Sequence, residues 1–179
     1  FQVDHHMGIA AAGYIPDARG QVNDIRFFSQ SSKLVYDEPV DVGTVAKYAA
    51  DEFQHYTQYA GVRPMGVALI IGGVDNNGNA LFLVDPSGTY VAYNAVAIGA
   101  NSDIVTEFLK KEYKPDITIS EGSMLAIAAI YLSSEIKKGT KHIKISQIRN
   151  DTKQFEIITD EQLTKLAQST VEKYPAEHK

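Results

Sequence analysis

The sequence contains no cysteine among its 179 residues. This absence excludes disulfides, thiolate catalysis and cysteine-ligated zinc, and it fits a reducing compartment, so we expect a cytoplasmic protein. Long apolar runs are missing as well. The longest runs cover residues 65–74 and 124–132, whereas a helix that crosses a bilayer needs about 20 apolar residues. The sequence therefore predicts a soluble chain with no membrane partner.

Positive charge is also scarce, because 17 lysines and arginines stand against 22 aspartates and glutamates, giving a net charge of -5. A nucleic-acid partner or an anionic membrane would require a basic stripe or segment, so neither partner is expected. Hydrophobic residues make up 44% of the chain, which is enough for one sizeable core. We therefore predict a single domain over residues 1–179.

The first sixty residues predict one strand and two helices. The small apolar segment at residues 7–14 is typical of a strand covered on both faces. Asp17 is expected to cap the first helix, and the second is expected to begin at Asp41 and end near Gly61. The apolar residues at helical spacing are Val22, Ile25 and Phe28 in the first helix and Val42, Val45, Ala46, Ala49, Phe53 and Tyr56 in the second.

Two hairpins are expected next. Residues 66–72 and 80–84 are apolar runs separated by a turn at residues 75–78, which is rich in residues that tolerate tight turns. A second turn at residues 85–88, with proline at its second position and glycine at its fourth, leads into residues 90–93. The three runs therefore predict consecutive antiparallel strands.

The remaining residues predict three helices and one more hairpin. A helix opens at Asn101 or Ser102 and stops before Pro115, and another runs from Ser120 to about Lys138. After this second helix we expect a hairpin that turns at residues 150–151, a helix capped by Thr159 or Asp160, and a polar tail at residues 174–179. The residues expected to face inward in the first of these helices are Ile104, Val105, Phe108 and Leu109. In the hairpin, Ile143, Ile145, Phe155 and Ile157 occupy alternating positions, and the last helix carries Leu163 and Leu166.

The order of these elements indicates the fold class. Helices occur in pairs between hairpins rather than singly between parallel strands. This pattern favours an α+β fold of antiparallel sheets covered by helices over a doubly wound fold.

No pattern of catalytic or ligand-binding residues emerges from the residues alone. Asp4, His5 and His6 carry metal-ligand chemistry, but neighbouring side chains on a strand point to opposite faces, so we predict no metal site there. The glycines at residues 72, 73 and 78 lack a following lysine and hydroxyl pair, so a hairpin is expected rather than a phosphate cradle. There is no Gly-x-Ser-x-Gly elbow, and we predict no catalytic residue and no cofactor.

The run at residues 56–67, with the sequence YTQYAGVRPMGV, resembles a specific motif of proteasome α-type subunits, at the point where a helix ends and a central strand begins. Segments in the same order as in that family are GYIPDAR at residues 13–19, DPSG at 85–88, AIG at 97–99, and EFL at 107–109 before Tyr113. The chain therefore resembles an archaeal-like proteasome α-type subunit over nearly its whole length.

This resemblance implies a fold and a function. The fold would be the four-layer αββα sandwich of N-terminal-nucleophile hydrolases, with two antiparallel sheets between helical layers. The chain would be a non-catalytic structural and gating subunit of the outer α ring, which supports ATP-dependent protein degradation by admitting unfolded substrates. Its implied partners are other α subunits in a seven-membered ring, β subunits, and the C-terminal tails of an ATPase activator, which would occupy a pocket that includes Gly13 and Tyr14.

The chain differs from the family at its start. The family's N-terminal helix, gating tail, first strands and pocket lysine all lie upstream of the position where Phe1 aligns. Phe1 is neither an initiator methionine nor the N-terminal threonine with which β-type subunits cleave peptides, and no signal peptide is visible. We therefore expect the intact protein to be longer.

Two alternatives remain open from the sequence. One is a catalytic N-terminal-nucleophile hydrolase of the β type, whose threonine, serine or cysteine lies outside this chain. The other is a stand-alone interaction domain that has the fold without joining a proteasome, since a fold does not by itself imply a function.

Overall fold

The computed structural model describes residues 1–133 and 139–175, and these residues form two compact units. The first unit contains residues 1–98 and 148–155, and the second contains the other described residues. The elements up to residue 98 are β1 (Gln2–Asp4), β2 (Met7–Gly13), α1 (Ile15–Tyr36), α2 (Val42–Gln58), β3 (Val67–Asp75), β4 (Gly78–Val84) and β5 (Tyr90–Ala92). The later elements are α3 (Ser102–Glu112), α4 (Ile119–Ser133), β6 (Ser146–Ile148), β7 (Phe155–Ile157) and α5 (Asp160–Lys173).

The first unit is built on a five-stranded antiparallel sheet with the order β1-β2-β3-β4-β5. Alternate residues of each strand point to the same face, so Leu69 and Ile71 enter one core together with Ile25 of α1 and Phe53 of α2. Each of these side chains is fully buried, and burial of a side chain of this size contributes about 1.5–3 kcal/mol. Both helices are therefore fixed to the sheet mainly by apolar contact.

Strand β2 corrects one prediction. Met7 and Ile9 are buried in the core, whereas Ala10 is exposed. The expectation that residues 7–14 are covered on both faces is therefore wrong for this chain, because small apolar residues do not reveal which face of a strand is covered.

Helix α1 begins earlier than predicted. Tyr14 occupies the N-cap position and Pro16 lies in the first turn, where the missing N–H of proline has no cost. Asp17 is therefore inside the helix and not its cap. It still suits the first turn, because a carboxylate there interacts favourably with the helix dipole.

Helix α2 confirms its prediction in both position and buried face. Asp41 is the N-cap residue, and five apolar residues of the predicted stripe are buried, while Tyr56 is half-buried. The capping hydrogen bond comes from another element, however, because the N–H of Val42 donates to Oδ2 of Asp75 at 2.9 Å. The end of β3 thus stabilises the start of α2.

Both hairpins of the first unit are confirmed. β3 and β4 pair from Leu69 opposite Val84 to Asp75 opposite Gly78, and β4 then pairs with β5. Gly78 has a φ of +110°, a conformation that residues with a Cβ rarely adopt. The turn therefore depends on glycine at the first position of β4.

The second unit packs α4 against α3 and α5. One of its cores consists of Ile127, Tyr131, Ile143, Ile158 and Leu163. In α3, Val105 and Phe108 are buried as predicted. Ile104 is 51% exposed, so its predicted inward orientation is wrong.

The second unit confirms one predicted cap and corrects two boundaries. Thr159 caps α5 through a reciprocal pair of hydrogen bonds with Gln162. Helix α4 begins at Ile119, one residue before the predicted Ser120, and its predicted end near Lys138 lies outside the described residues, as does most of the tail. Strand β6 starts at Ser146, so Ile143 and Ile145 precede it. β6 and β7 form a two-stranded sheet.

Within the part of the chain that the structure describes, no helix is long and apolar enough to cross a membrane.

Candidate functional site

Gly13 ends β2 at a point where the backbone of β3 approaches closely. Its φ is +124°, and a Cβ on this residue would lie 2.3 Å from the carbonyl oxygen of Gly66. The next residue, Tyr14, donates its backbone N–H to that same oxygen at 2.7 Å. Only glycine fits here without moving the strand, since both the backbone conformation and the contact exclude a side chain.

Asp17 connects this segment to the loop before β3. Arg63 donates from both terminal guanidinium nitrogens to the two carboxylate oxygens of Asp17, at 2.7 and 2.9 Å. The N–H of Gly66 donates to Oδ2 of Asp17 at 2.9 Å. The bidentate geometry fixes the guanidinium plane and makes the pair more specific than a single contact.

The charges of this pair stabilise each other. The hydrogen bonds from Arg63 and from the N–H of Gly66 lower the pKa of Asp17 below its usual value, although partial burial opposes them. The hydrogen bond to Asp17 likewise raises the pKa of Arg63. Asp17 is therefore ionised at neutral pH.

The side chain of Tyr14 extends into solvent from the backbone segment that these contacts hold in place. Its side chain is 56% exposed, a large fraction for an aromatic residue. The guanidinium carbon of Arg63 lies 5.3 Å from the centre of the Tyr14 ring, within the range of a cation–π interaction. Tyr14, Arg63 and Asp17 thus form one connected surface cluster at the N-terminus of α1.

An open cleft of about 420 Å³ lies beside this cluster. Its lining includes Asp17, Gln21, Tyr56, Arg63 and Met65. Gly13 and Tyr14, the two residues predicted for an activator-tail pocket, are not part of its lining, although the Tyr14 ring lies 5.3 Å from the guanidinium carbon of Arg63, which is. Their role in a pocket stays a prediction.

The two halves of this cluster lie in the segments at residues 13–19 and 56–67, which carry the family resemblance, but their sequences do not predict that they meet. Asp17 was expected to cap a helix, whereas its carboxylate binds Arg63 and Gly66. The sequence feature that points to the Asp17–Arg63 pair is the presence of opposite charges in these two segments. Many other pairs of acidic and basic residues share this feature, so it does not identify the contact.

Asp4, His5 and His6 do not lie along one continuous strand. β1 ends at Asp4, and His5 and His6 form the turn that leads into Met7. Atoms of the three side chains that could bind a metal lie within 4.8 Å of one another. These side chains therefore do not diverge as predicted, because His5 and His6 lie in a turn and not on a strand. The glycines at residues 72, 73 and 78 do lie in the β3–β4 hairpin, as predicted.

Comparison with known proteins identifies the family. A profile described as "Proteasome subunit" matches residues 1–148. The chain is 37% identical to "Proteasome subunit alpha" of Methanosarcina barkeri over 174 residues, covering 97% of this chain and 70% of the relative. It is 38% identical to the protein of that name from Methanothermobacter thermautotrophicus over 91% of this chain and 66% of the relative. The identity to the Methanocaldococcus jannaschii protein of that name is 40% over 93% of this chain and 63% of the relative.

The fold agrees with this comparison. Antiparallel sheets and five helices within the described residues fit the α+β, N-terminal-nucleophile hydrolase type of fold that the resemblance implied. The segments at residues 13–19 and 56–67, which carried that resemblance, meet at the Asp17–Arg63 pair. This chain therefore belongs to the proteasome subunit family, as an archaeal-like α-type subunit.

Proposed function

We propose that this chain is a non-catalytic structural and gating subunit of the outer α ring of a proteasome core particle in the cytoplasm. It supports ATP-dependent protein degradation by admitting unfolded substrates to the chamber and by docking activators. The observation that carries the proposal is the match to proteins named proteasome subunit alpha over 97% of the chain. The competing function is a β-type hydrolase whose nucleophile lies outside this chain, and the α-type names of the relatives favour the first.

The proposed partners are other α subunits in a seven-membered ring, together with β subunits. Helix α1 supports such contacts because it carries several large apolar side chains that are mostly exposed. These residues are Phe27, Leu34, Val35 and Tyr36, with exposed fractions of 76%, 87%, 73% and 71%. Exposed apolar side chains on one element favour burial against another subunit.

The proposed activator site includes Gly13 and Tyr14. Gly13 fixes the backbone by its contact with Gly66, and Tyr14 presents an exposed ring next to the cationic Arg63. An aromatic face beside a guanidinium group suits a tail that ends in a carboxylate. An activator's C-terminal tail has this chemistry.

Assembly tests the structural part of the proposal. The full-length protein is expressed alone and together with the β subunit of the same organism, and both samples are examined by native mass spectrometry, electron microscopy and a peptide-hydrolysis assay. We expect hydrolysis only with the β subunit, in a cylindrical particle that has this subunit at its ends. A persistent monomer, or hydrolysis by the purified subunit alone, contradicts the proposal.

Docking is tested on the assembled particle with Tyr14→Ala and a matched control, Tyr93→Ala. Both tyrosines are exposed, at 56% and 42%, so both variants should fold. We expect Tyr14→Ala to weaken binding of peptides with an activator's C-terminal sequence, and to reduce activator-stimulated hydrolysis. An equal effect of both variants would contradict a specific role for Tyr14.

A further inference from the structure

Asp4 and His6 face each other through two buried atoms. The side chain of His6 is 2% exposed and that of Asp4 is 9% exposed, and Nδ1 of His6 lies 3.9 Å from Oδ2 of Asp4. Neither atom has a hydrogen-bond partner within residues 1–133 and 139–175. Because buried polar atoms are nearly always satisfied, the gap between them needs an occupant that interacts with both.

The state of His6 follows from its other ring nitrogen. Nε2 lies 2.9 Å from the carbonyl oxygen of Val40. A carbonyl oxygen only accepts hydrogen bonds, so Nε2 carries a proton and donates it. In the neutral ring Nδ1 then has a free lone pair, which points towards the carboxylate of Asp4. Histidines that bind metals are commonly oriented in this way, by a hydrogen bond from the other nitrogen to a backbone carbonyl.

His5 adds a third donor to the same turn. Its Nδ1 lies 2.9 Å from Oδ1 of Asp4, and because a carboxylate only accepts hydrogen bonds, Nδ1 carries the proton of this contact. Metal binding through Nδ1 therefore requires that proton to move to Nε2 or to solvent. Atoms of all three side chains that could bind a metal lie within 4.8 Å of one another. The His5 side chain is 34% exposed, which provides access from solvent. A bridging water or an extra proton on His6 could also occupy the gap between Oδ2 of Asp4 and Nδ1 of His6. Neither of these occupants would involve the side chain of His5.

The turn that carries these groups is held in place by its own backbone. The carbonyl of His5 accepts a hydrogen bond from the N–H of Phe155 at 2.6 Å, and that of His6 accepts one from the N–H of Val74 at 3.0 Å. Neighbouring segments of the first unit thus fix the turn on both sides. A fixed backbone lowers the cost of bringing three ligands together.

We propose that Asp4, His5 and His6 bind one divalent transition-metal ion, with zinc as the best fit, and leave the remaining coordination position to water. Two imidazole nitrogens and one carboxylate oxygen suit Zn²⁺, whereas Mg²⁺ and Ca²⁺ prefer oxygen ligands. Such an ion would tie β1 to β2 at the edge of the sheet. Its role is structural, since it would replace two unsatisfied buried contacts with metal–ligand bonds.

Zinc titration of the chelator-treated, full-length protein tests the site. We expect isothermal titration calorimetry to give one Zn²⁺ per chain, and thermal unfolding to shift upwards with zinc but not with Mg²⁺. His5→Asn and Asp4→Asn should each weaken binding by about tenfold or more, as loss of groups at a metal site does. The matched control is His55→Asn, because His55 is exposed on α2, where its ring packs on Tyr59.

Two results would overturn the site. If His5→Asn and Asp4→Asn bind zinc as well as the natural sequence does, the ion lies elsewhere. If no zinc binds, and ¹⁵N NMR shows that Nδ1 of His6 carries a proton or accepts one from water, the occupant is a proton or a water molecule. His5 is the safer position to change, since its half-exposed ring makes misfolding less of a concern than at buried His6, and circular dichroism checks the fold of each variant.

Discussion

Asp17 and Arg63, 46 positions apart in the sequence, form a two-point ion pair that joins the start of α1 to the loop before β3. The same carboxylate also accepts a hydrogen bond from the N–H of Gly66. Asp17 thus connects three backbone segments: the end of β2 through Gly66 and Tyr14, the first turn of α1, and the loop containing Arg63. The cluster next to the proposed activator site depends on this one side chain.

Replacement of Asp17 by Asn should lower the thermal unfolding midpoint by roughly a few degrees. The amide can still accept a hydrogen bond from Gly66, but it cannot form the charged pair with Arg63. Asp24→Asn is the control, because Asp24 lines the same cleft. A double-mutant cycle with Arg63→Gln should show that the two changes are not additive, and additive effects would contradict a direct coupling.

Acidification should weaken the contribution of Asp17 to stability. The pKa of Asp17 is lowered in the folded chain, chiefly by the hydrogen bond from Arg63. A group whose folded pKa is depressed stabilises the fold fully above its unfolded pKa and loses that effect as the pH falls through its folded pKa. The difference in unfolding free energy between the natural sequence and Asp17→Asn should therefore shrink on acidification. A difference that stays constant from neutral to acidic pH would argue against this assignment.

Gly13→Ala should destabilise the chain by about 1–3 kcal/mol or more, the usual range for a strained backbone conformation. The new Cβ would also lie 2.3 Å from the Gly66 oxygen, so β2 or β3 must move. Gly20→Ala is the matched control. Gly20 is helical, and a Cβ there meets nothing within 4 Å, so this variant should be more stable by about 0.5–1 kcal/mol. Chemical denaturation of both variants measures the contrast, and similar values would contradict it.

Glu121→Gln should remove a pH-dependent contribution from the second unit. The backbone N–H of Thr118 and the Lys173 ammonium donate to this carboxylate at 3.0 and 3.1 Å. The N–H of Thr118, followed by Lys173 and the Thr118 hydroxyl, lowers the pKa of Glu121 from 4.5 to about 2. The contribution is complete above about pH 4.5 and is lost as the pH falls towards about 2.

The measurement for Glu121 is urea denaturation at neutral and acidic pH. The natural sequence should exceed Glu121→Gln in stability at neutral pH, and the two should converge at low pH. Glu172→Gln on α5 serves as the control, next to the same lysine in sequence. If the difference in stability between the natural sequence and Glu121→Gln widens on acidification, the proposed lowering of the Glu121 pKa is contradicted.

Thr159→Ala should cost about 1 kcal/mol, the usual effect of losing a helix cap. The Thr159 hydroxyl accepts a hydrogen bond from the N–H of Gln162, and the Gln162 side chain accepts one from the N–H of Thr159. Thr164→Ala is the control, since this exposed hydroxyl donates only within the helix, to the carbonyl of Asp160. Equal losses in both variants, measured by thermal unfolding, would show that the cap is not important.

Much of the fold could be predicted from the sequence because it depends on local patterns. The helical spacing of apolar residues located α2, and the turn residues at 75–78 and 85–88 located the two hairpins of the first unit. The Thr159 cap was found for the same reason, since its partner lies three residues away. Predictions were wrong where the burial of a side chain depends on residues distant in sequence. Ile104 is an example, because its exposure depends on how α3 packs.

The family is visible in the amino-acid sequence, through the segments at residues 13–19 and 56–67, and so is the antiparallel α+β order of the elements. Which polar groups meet became clear from the folded chain alone. Folding joins Asp17 to Arg63, and it brings together the side chains of Asp4, at the end of β1, and of His5 and His6 in the turn that follows. Periodicity along a chain predicts which face of an element is buried. Contacts between elements depend on the three-dimensional arrangement of the backbone, which no local pattern specifies.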